Sequence, residues 1–247
     1  MGECEIQLES DFDFVEMSFD GNTVVSENRH LKLALLPTQM RVHSWRYRYV
    51  KRIIDIIGAV LMIAISFVPG VLIAAAVALT SRGSVFYREL RVGRGGRPFQ
   101  IWKFRSMHAA RASQEPSTSA QSRGVLLHWR IHKIEHDPRI TAVGGFLRRW
   151  SLDELPQLFN VLRGEMSLIG PRPVVEAEIP LYGNLRHYYL VAAPGLSGLW
   201  QVSGRSNVTF AVRANLDASY VANWSLLTDL SIICRTIPAV LGRVGAR

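Results

Sequence analysis

A run of 24 residues without a charge, Ile56 to Leu79, constrains this chain more than any other feature. At ~1.5 Å per residue it reaches ~36 Å as a straight helix, enough to cross a bilayer. It begins too late to be an ordinary cleaved signal peptide. Two details complicate a simple span. Pro69-Gly70 sits inside the run, and proline removes an amide donor and crowds the preceding turn, so a kink or break is expected there. Both flanks are also basic. Arg41, Arg46, Arg48, Lys51 and Arg52 precede the run, and Arg82, Arg88, Arg91, Arg94 and Arg97 follow it. Positive charge tends to stay cytoplasmic, which puts both flanks on one side. A broken helix that dips into the bilayer and turns back satisfies both details. A kinked spanning helix is the alternative, and the charge symmetry favours the first. A buried soluble core helix fits this length less well.

Charge divides the chain. Residues 1–30 hold eight acids and one base, Arg29, which leaves 28 bases against 12 acids, a net of +16, for residues 31–247. A body that basic wants a polyanion: nucleic acid, an anionic membrane surface or a phosphorylated substrate. Cys4 and Cys234 are the only cysteines, which excludes a disulfide framework and a cysteine zinc site and fits a reducing compartment. Residues 1–48 read as an acidic, poorly ordered extension, 49–82 as the membrane helix and 83–247 as a cytoplasmic domain.

Within that domain, Val85-Phe86-Tyr87 and Phe99 to Trp102 read as strands joined by the basic turn Gly93-Arg94-Gly95-Gly96. The turn opens no helix, so it is a weak phosphate loop. Residues 112–123 are a polar loop. Residues 124–137 read as a short helix with His128, His132 and His136 on one face. No zinc motif accompanies that spacing, and an interfacial helix bearing Trp129 is the better reading. Ile140 to Trp150 is another short helix. Asp217 to Val240 is helical, with Leu226, Leu227, Leu230, Ile233 and Ile237 in one stripe. That stripe packs into a core, or lies on a membrane.

The segment SLDELPQLFNVLRGEMSLIGPRP, Ser151 to Pro173, is the densest in chemistry. Ser151 with Glu154 matches a capping box, and Asp153-Glu154 would complement a helix dipole. Taken locally, capping explains the acids, because such helix starts are common. Context changes the balance. Arg148 and Arg149 precede the acids, Arg172 stands on the stiff Gly170-Pro171-Arg172-Pro173 turn, and Arg205 lies in a second glycine-rich loop, Gly195 to Gly204. Guanidinium forks match phosphate oxygens. Positive neighbours keep a carboxylate ionised, the form that is a nucleophile. Two acids can also share Mg²⁺, which neutralises a diphosphate. Together these suggest phosphoryl chemistry at a bilayer surface.

The motifs KRIID at 51–55, GSVFYRELRVGRGGRPFQIWKFRSM at 83–107, DPRITAVGGFLRRWSLDELPQLFNVLRGEMSLIGPRP at 137–173 and PGLSGLWQVSGR at 194–205 carry a resemblance. From Lys51 to about Val240 the sequence resembles the monotopic phosphoglycosyl transferases. These bacterial sugar transferases start glycan assembly on a polyprenol phosphate. The motifs are most similar to the branch that primes exopolysaccharide synthesis with a hexose phosphate.

The resemblance implies an α+β, mostly helical fold with a re-entrant, non-spanning membrane helix broken at Pro69. A small cytoplasmic catalytic domain with interfacial amphipathic helices would sit on the inner membrane. It implies Asp153 as nucleophile toward a UDP-hexose, with galactose or glucose favoured, and Glu154 with Asp153 as Mg²⁺ ligands. It assigns Lys103, Arg105, Arg148, Arg172 and Arg205 to phosphate and nucleotide contacts. UMP would be released and the sugar phosphate passed to undecaprenyl phosphate. Membrane lipid is an expected partner, downstream glycosyltransferases or a second copy are further ones, and nucleic acid is not. One departure stands out. The family often has Ser directly before the helix-breaking proline, and here that residue is Val68, with Ser66 the nearest hydroxyl. A non-catalytic membrane scaffold and a glycosyl transferase that releases UDP are the rival functions.

Overall fold

The computed structural model describes residues 41–108, 139–203 and 209–241. The acidic extension through residue 40, the polar loop at 112–123, the histidine-bearing segment at 124–137 and Arg205 lie outside the described residues.

A π-helical turn, Arg46–Val50, leads into the long helix α1, Lys51–Thr80. Together they form one candidate membrane span of 35 residues, within which an 18-residue stretch has a mean hydropathy of 2.7. Pro69 lies inside α1, and helical structure continues on both sides of it, so the expected break is not an interruption of the helix. The ring removes only the donor that would reach Ile65. Ser66 bonds back to the Met62 carbonyl at 2.6 Å, one turn earlier, so it does not serve the carbonyl that Pro69 frees.

The two ends of α1 are fixed to one body. Near its start, Lys51 donates to Asp229 at 2.7 Å, and Arg52 donates to the carbonyls of Val161 and Leu162 at 2.5 and 2.8 Å. One turn on, Asp55 accepts from the Ser167 hydroxyl and the Leu168 amide, both at 3.0 Å. Ala59 then packs with Phe99, Ile101, Leu158, Val161 and Met166. Near the other end, Val77 packs with Phe104 and Leu147. Leu155 touches both apolar groups. The opposite face of α1, with Ile57, Leu61, Ile65, Val68 and Leu72, is exposed.

Strands β1 (Phe86–Val92) and β2 (Pro98–Phe104) form an antiparallel hairpin in which Tyr87 faces Lys103. Both are longer than the strands read from sequence, because the alternating pattern continues into the charged residues of β1. Helix α2, Ala142–Arg149, is capped by Thr141, whose hydroxyl accepts from the Gly144 amide at 2.8 Å. A side chain on Gly144 would meet the Ser106 carbonyl at 1.9 Å, so glycine lets α2 seat against the end of the hairpin.

Helix α3, Gln157–Arg163, ends at Gly164 in the left-handed region (φ 80°), as a helix C-terminus favours. Buried Asn160 ties α3 to the hairpin by accepting from the Trp102 amide at 3.1 Å and donating to the Gln100 carbonyl at 2.7 Å. The short strands β3, Ser167–Ile169, and β4, Gly195–Ser197, pair in parallel. Helices α4 (Arg186–Val191) and α5 (Leu199–Val202) flank β4.

The helix expected over residues 217–240 is two helices, α6 (Phe210–Ala222) and α7 (Leu226–Leu241). Ser225 restarts the chain by accepting from the Thr228 amide at 3.0 Å. Leu227, Leu230 and Ile237 are exposed, so the α7 stripe is not core packing as a whole. Ile232, on the other side, is buried. The small strands and prevalent helices agree with an α+β, mostly helical class.

Candidate active site

Asp153 and Glu154 do not cap a helix. Ser151 has φ 54° and ψ 22°, the one non-glycine residue with positive φ among the described residues, and its side chain makes no capping bond. The acids lie in a separate 3-10 turn, Leu152–Glu154, ahead of α3. The capping-box expectation is therefore corrected: Ser151 is left-handed, and Glu154 turns to the hairpin instead of back to the helix start. A non-glycine residue in that conformation costs on the order of 1–3 kcal/mol, and such strain gathers at functional sites.

Lys103 of β2 donates to Glu154 Oε1 at 2.8 Å. Burial pushes the Glu154 carboxyl up, but Lys103 and Arg172, with the hydrogen bond from Lys103, outweigh it and hold the group at about 2. Burial pushes Asp153 up and Glu154 adds to this, while Lys103 and Arg148 pull it back. Glu154 is thereby held ionised, and the neighbouring Asp153 is made more basic than an ordinary aspartate. Arg148 comes from the last turn of α2, where a cation complements the dipole.

Arg172 is positioned by main chain. A Cβ on Gly170 would lie 2.4 Å from the Ala193 carbonyl, and one on Gly195 would lie 2.1 Å from the Gly170 nitrogen. The Gly195 amide donates to the Pro171 carbonyl at 2.7 Å and the Gly170 amide to the Ser197 carbonyl at 2.9 Å. The two glycine-rich loops read from sequence thus meet and hold the turn that carries Arg172. Its guanidinium lies 5.8 Å from the Trp200 ring centre, and burial pulls its pKa down while Glu154 opposes.

A cleft joins Lys103, Glu154, Gln157 and Arg172 with Arg91 and Gln201. The last two and Gln157 were not read from sequence as site residues. Arg91 was visible in the basic stretch ELRVGRGG, but as part of a charged flank. Arg105 is placed elsewhere. It is buried and donates to the carbonyls of Ser81 and Val77 at 2.7 and 3.2 Å, and to that of Ser84. A phosphate contact does not fit this arrangement, because its donors are taken up fastening the end of α1. Among the described residues no group of three His, Cys, Asp or Glu gathers as a metal cage. Two adjacent carboxylates nevertheless fit Mg²⁺, which needs only one or two from the protein when substrate phosphate and water complete its shell.

Residues 46–243 match the bacterial sugar transferase family. The chain belongs to that family. It is 46% identical over 193 residues to the exopolysaccharide production protein ExoY of Sinorhizobium fredii, covering 77% of this chain and 84% of that protein. The undecaprenyl-phosphate galactose phosphotransferase of Salmonella typhimurium is 41% identical over 216 residues, 87% of this chain and 45% of that longer protein. The UDP-glucose:undecaprenyl-phosphate glucose-1-phosphate transferase of Caulobacter vibrioides is 42% identical over 200 residues, with coverages of 77% and 69%. The chain thus spans most of its shorter relatives and less than half of the Salmonella transferase.

Proposed function

We propose that this sugar transferase moves a hexose 1-phosphate from a UDP-hexose to undecaprenyl phosphate and releases UMP, the first membrane step of exopolysaccharide synthesis. The observation that carries the reading is the Asp153-Glu154 pair on its strained turn, facing Lys103, Arg148 and Arg172. In the first half-reaction a carboxylate oxygen of Asp153 attacks the sugar-bearing phosphorus. A new O–P bond forms, the bond to the bridging oxygen breaks, and that oxygen leaves with its electron pair on UMP. In the second, an oxygen of undecaprenyl phosphate attacks the same phosphorus and Asp153 departs as carboxylate.

Lys103 and Arg148 oppose the effect of burial on Asp153 and so raise its ionised, nucleophilic fraction. Arg172 supplies fixed positive charge to the diphosphate. Glu154 and Asp153 would hold Mg²⁺, which when bound supplies charge neutralisation for the phosphates. The names of the relatives favour galactose or glucose as the sugar.

The packing of α1 supports a re-entrant reading, and the basic flanks favour the cytoplasmic face for the catalytic body. Ala59 and Val77 are ~27 Å apart along a straight helix, yet both pack on the same body. A spanning helix would leave one of them across the bilayer from that body.

The test is nucleotide release from full-length protein in nanodiscs with Mg²⁺, undecaprenyl phosphate and a panel of UDP-hexoses. UMP with one donor, abolished by Asp153→Asn, is the expected result. UDP in its place means ordinary glycosyl transfer. No nucleotide from folded protein returns the chain to the scaffold reading.

A further inference from the structure

Arg148 and Lys103 act on Asp153, Lys103 and Arg172 act on Glu154, and Arg172 in turn feels Arg213 and Arg91. Arg91 lines the cleft with Lys103, Glu154 and Arg172 and is 8% exposed. Its Nη1 donates to the Pro173 carbonyl at 3.3 Å, its Nη2 pairs with Glu89, and its Nε has no hydrogen-bond partner among the described residues.

The backbone beneath it is locked. The Val92 amide donates to the Val174 carbonyl at 2.9 Å, and the Tyr189 hydroxyl donates to the Val92 carbonyl at 2.6 Å while accepting from the Val174 amide at 3.1 Å. The end of β1 and the segment carrying Arg172 are therefore one rigid wall. That wall holds two guanidiniums out of most solvent, with Arg91 near enough to disfavour the charge on Arg172. Such a pair is costly alone and suits an anion that both forks can grip.

We propose that Arg91 and Arg172 together hold the phosphate that leaves on the nucleotide. The inference rests on the transfer reading above. Asp153 must reach the sugar-bearing phosphorus, and the cleft beside its neighbour Glu154, lined by Lys103, Arg172 and Arg91, takes the second. When the bridging P–O bond breaks, its electron pair goes to the nucleotide phosphate, and the two guanidiniums meet the charge that develops there. Glu89 holds Arg91 in place when no phosphate is present, and phosphate competes with it. Arg91 thus serves nucleotide release and has no part in the attack by undecaprenyl phosphate.

The test compares wild type with Arg91→Gln, which keeps a donor for Pro173, using the full chain in nanodiscs. UMP affinity by calorimetry is expected to fall ~10- to 100-fold, because one charged fork is lost. Single-turnover UMP release should slow ~100-fold, while transfer from isolated phosphosugar-enzyme to undecaprenyl phosphate stays within about threefold. Unchanged UMP affinity, or equal slowing of both halves, would reduce Arg91 to a clamp on Pro173 and overturn the proposal. Arg91→Lys keeps charge without the fork and should recover part of the affinity. If the glutamine variant fails to fold by its melting curve, the lysine variant carries the test, and wild-type UMP affinity in it rejects the proposal. Absence of UMP release from wild type, or its persistence in Asp153→Asn, rejects the transfer reading instead. The calorimetry needs no turnover and decides the phosphate site separately.

Discussion

The Lys103 ammonium lies 2.8 Å from Glu154 Oε1 and joins the β1–β2 hairpin to the turn that carries Asp153. One cation therefore holds Glu154 low and moderates Asp153. Lys103→Met should cut turnover by ~10²- to 10³-fold, as loss of a preorganised charge does. The pair is partly exposed, so stability should fall by only about 1 kcal/mol. Initial rates beside thermal melting separate the two effects. A variant that loses stability and keeps turnover would make the pair a strut only.

Arg105 and Lys103 are two residues apart on one motif, yet they should fail differently. Arg105→Ala leaves the carbonyls of Val77, Ser81 and Ser84 without their donor and should destabilise the fold by roughly 2–3 kcal/mol. The KM for UDP-hexose of the folded fraction should stay near wild type. A tenfold rise in KM at unchanged melting temperature would restore Arg105 to the phosphate site.

Topology is readable by labelling. In a chain with Cys4 and Cys234 replaced by Ser, single cysteines at Arg48 and Arg82 should both react with a membrane-impermeant maleimide from the cytoplasmic side. A cysteine at Val68, exposed in the structure and buried in lipid on the re-entrant reading, should stay protected until detergent is added. Reaction of the two flanks from opposite sides would make α1 a true span.

Asp217 gives a pH signature. Burial pushes its carboxyl up to about 7, against the pull of Arg213 and the hydrogen bond from Tyr182 at 2.9 Å. Between the ordinary carboxylate range and about pH 7 the folded chain holds a proton that the unfolded chain has lost. Its contribution to stability is full below the ordinary range and fades as pH rises through about 7. Stability should therefore fall between pH 5 and pH 8, by on the order of 2 kcal/mol, and Asp217→Asn should flatten that slope. Glu154 has the opposite sign, but its contribution fades only as pH falls toward about 2, outside that window. Urea midpoints across the pH range measure both.

Local signals in the sequence carried well where neighbours in space are neighbours in sequence. The hairpin showed through its alternating residues and glycine turn, and α2 through its apolar period. The capping box misled because Ser151-x-x-Glu154 has the right letters, while the salt bridge to Lys103, 51 residues earlier, draws Glu154 away from the helix start. KRIID was legible as a motif and silent about its work, since Lys51, Arg52 and Asp55 find partners more than 100 residues away. Arg105 and Lys103 look alike in sequence, and only the fold sends one to the end of α1 and the other to the cleft. The α7 stripe reads the same whether it faces protein or lipid, because periodicity reports a common face and not what covers it.

Leu155 follows the acid pair directly and packs against apolar groups from both stretches of α1. It works as a pivot. Thickness or lateral pressure in the bilayer that tilts either stretch delivers its strain to a side chain two positions from Asp153. On the proposed mechanism the lipid phase becomes a mechanical input to the acid pair, and turnover of the same polypeptide is expected to differ between thin and thick membranes without any change in substrate or pH.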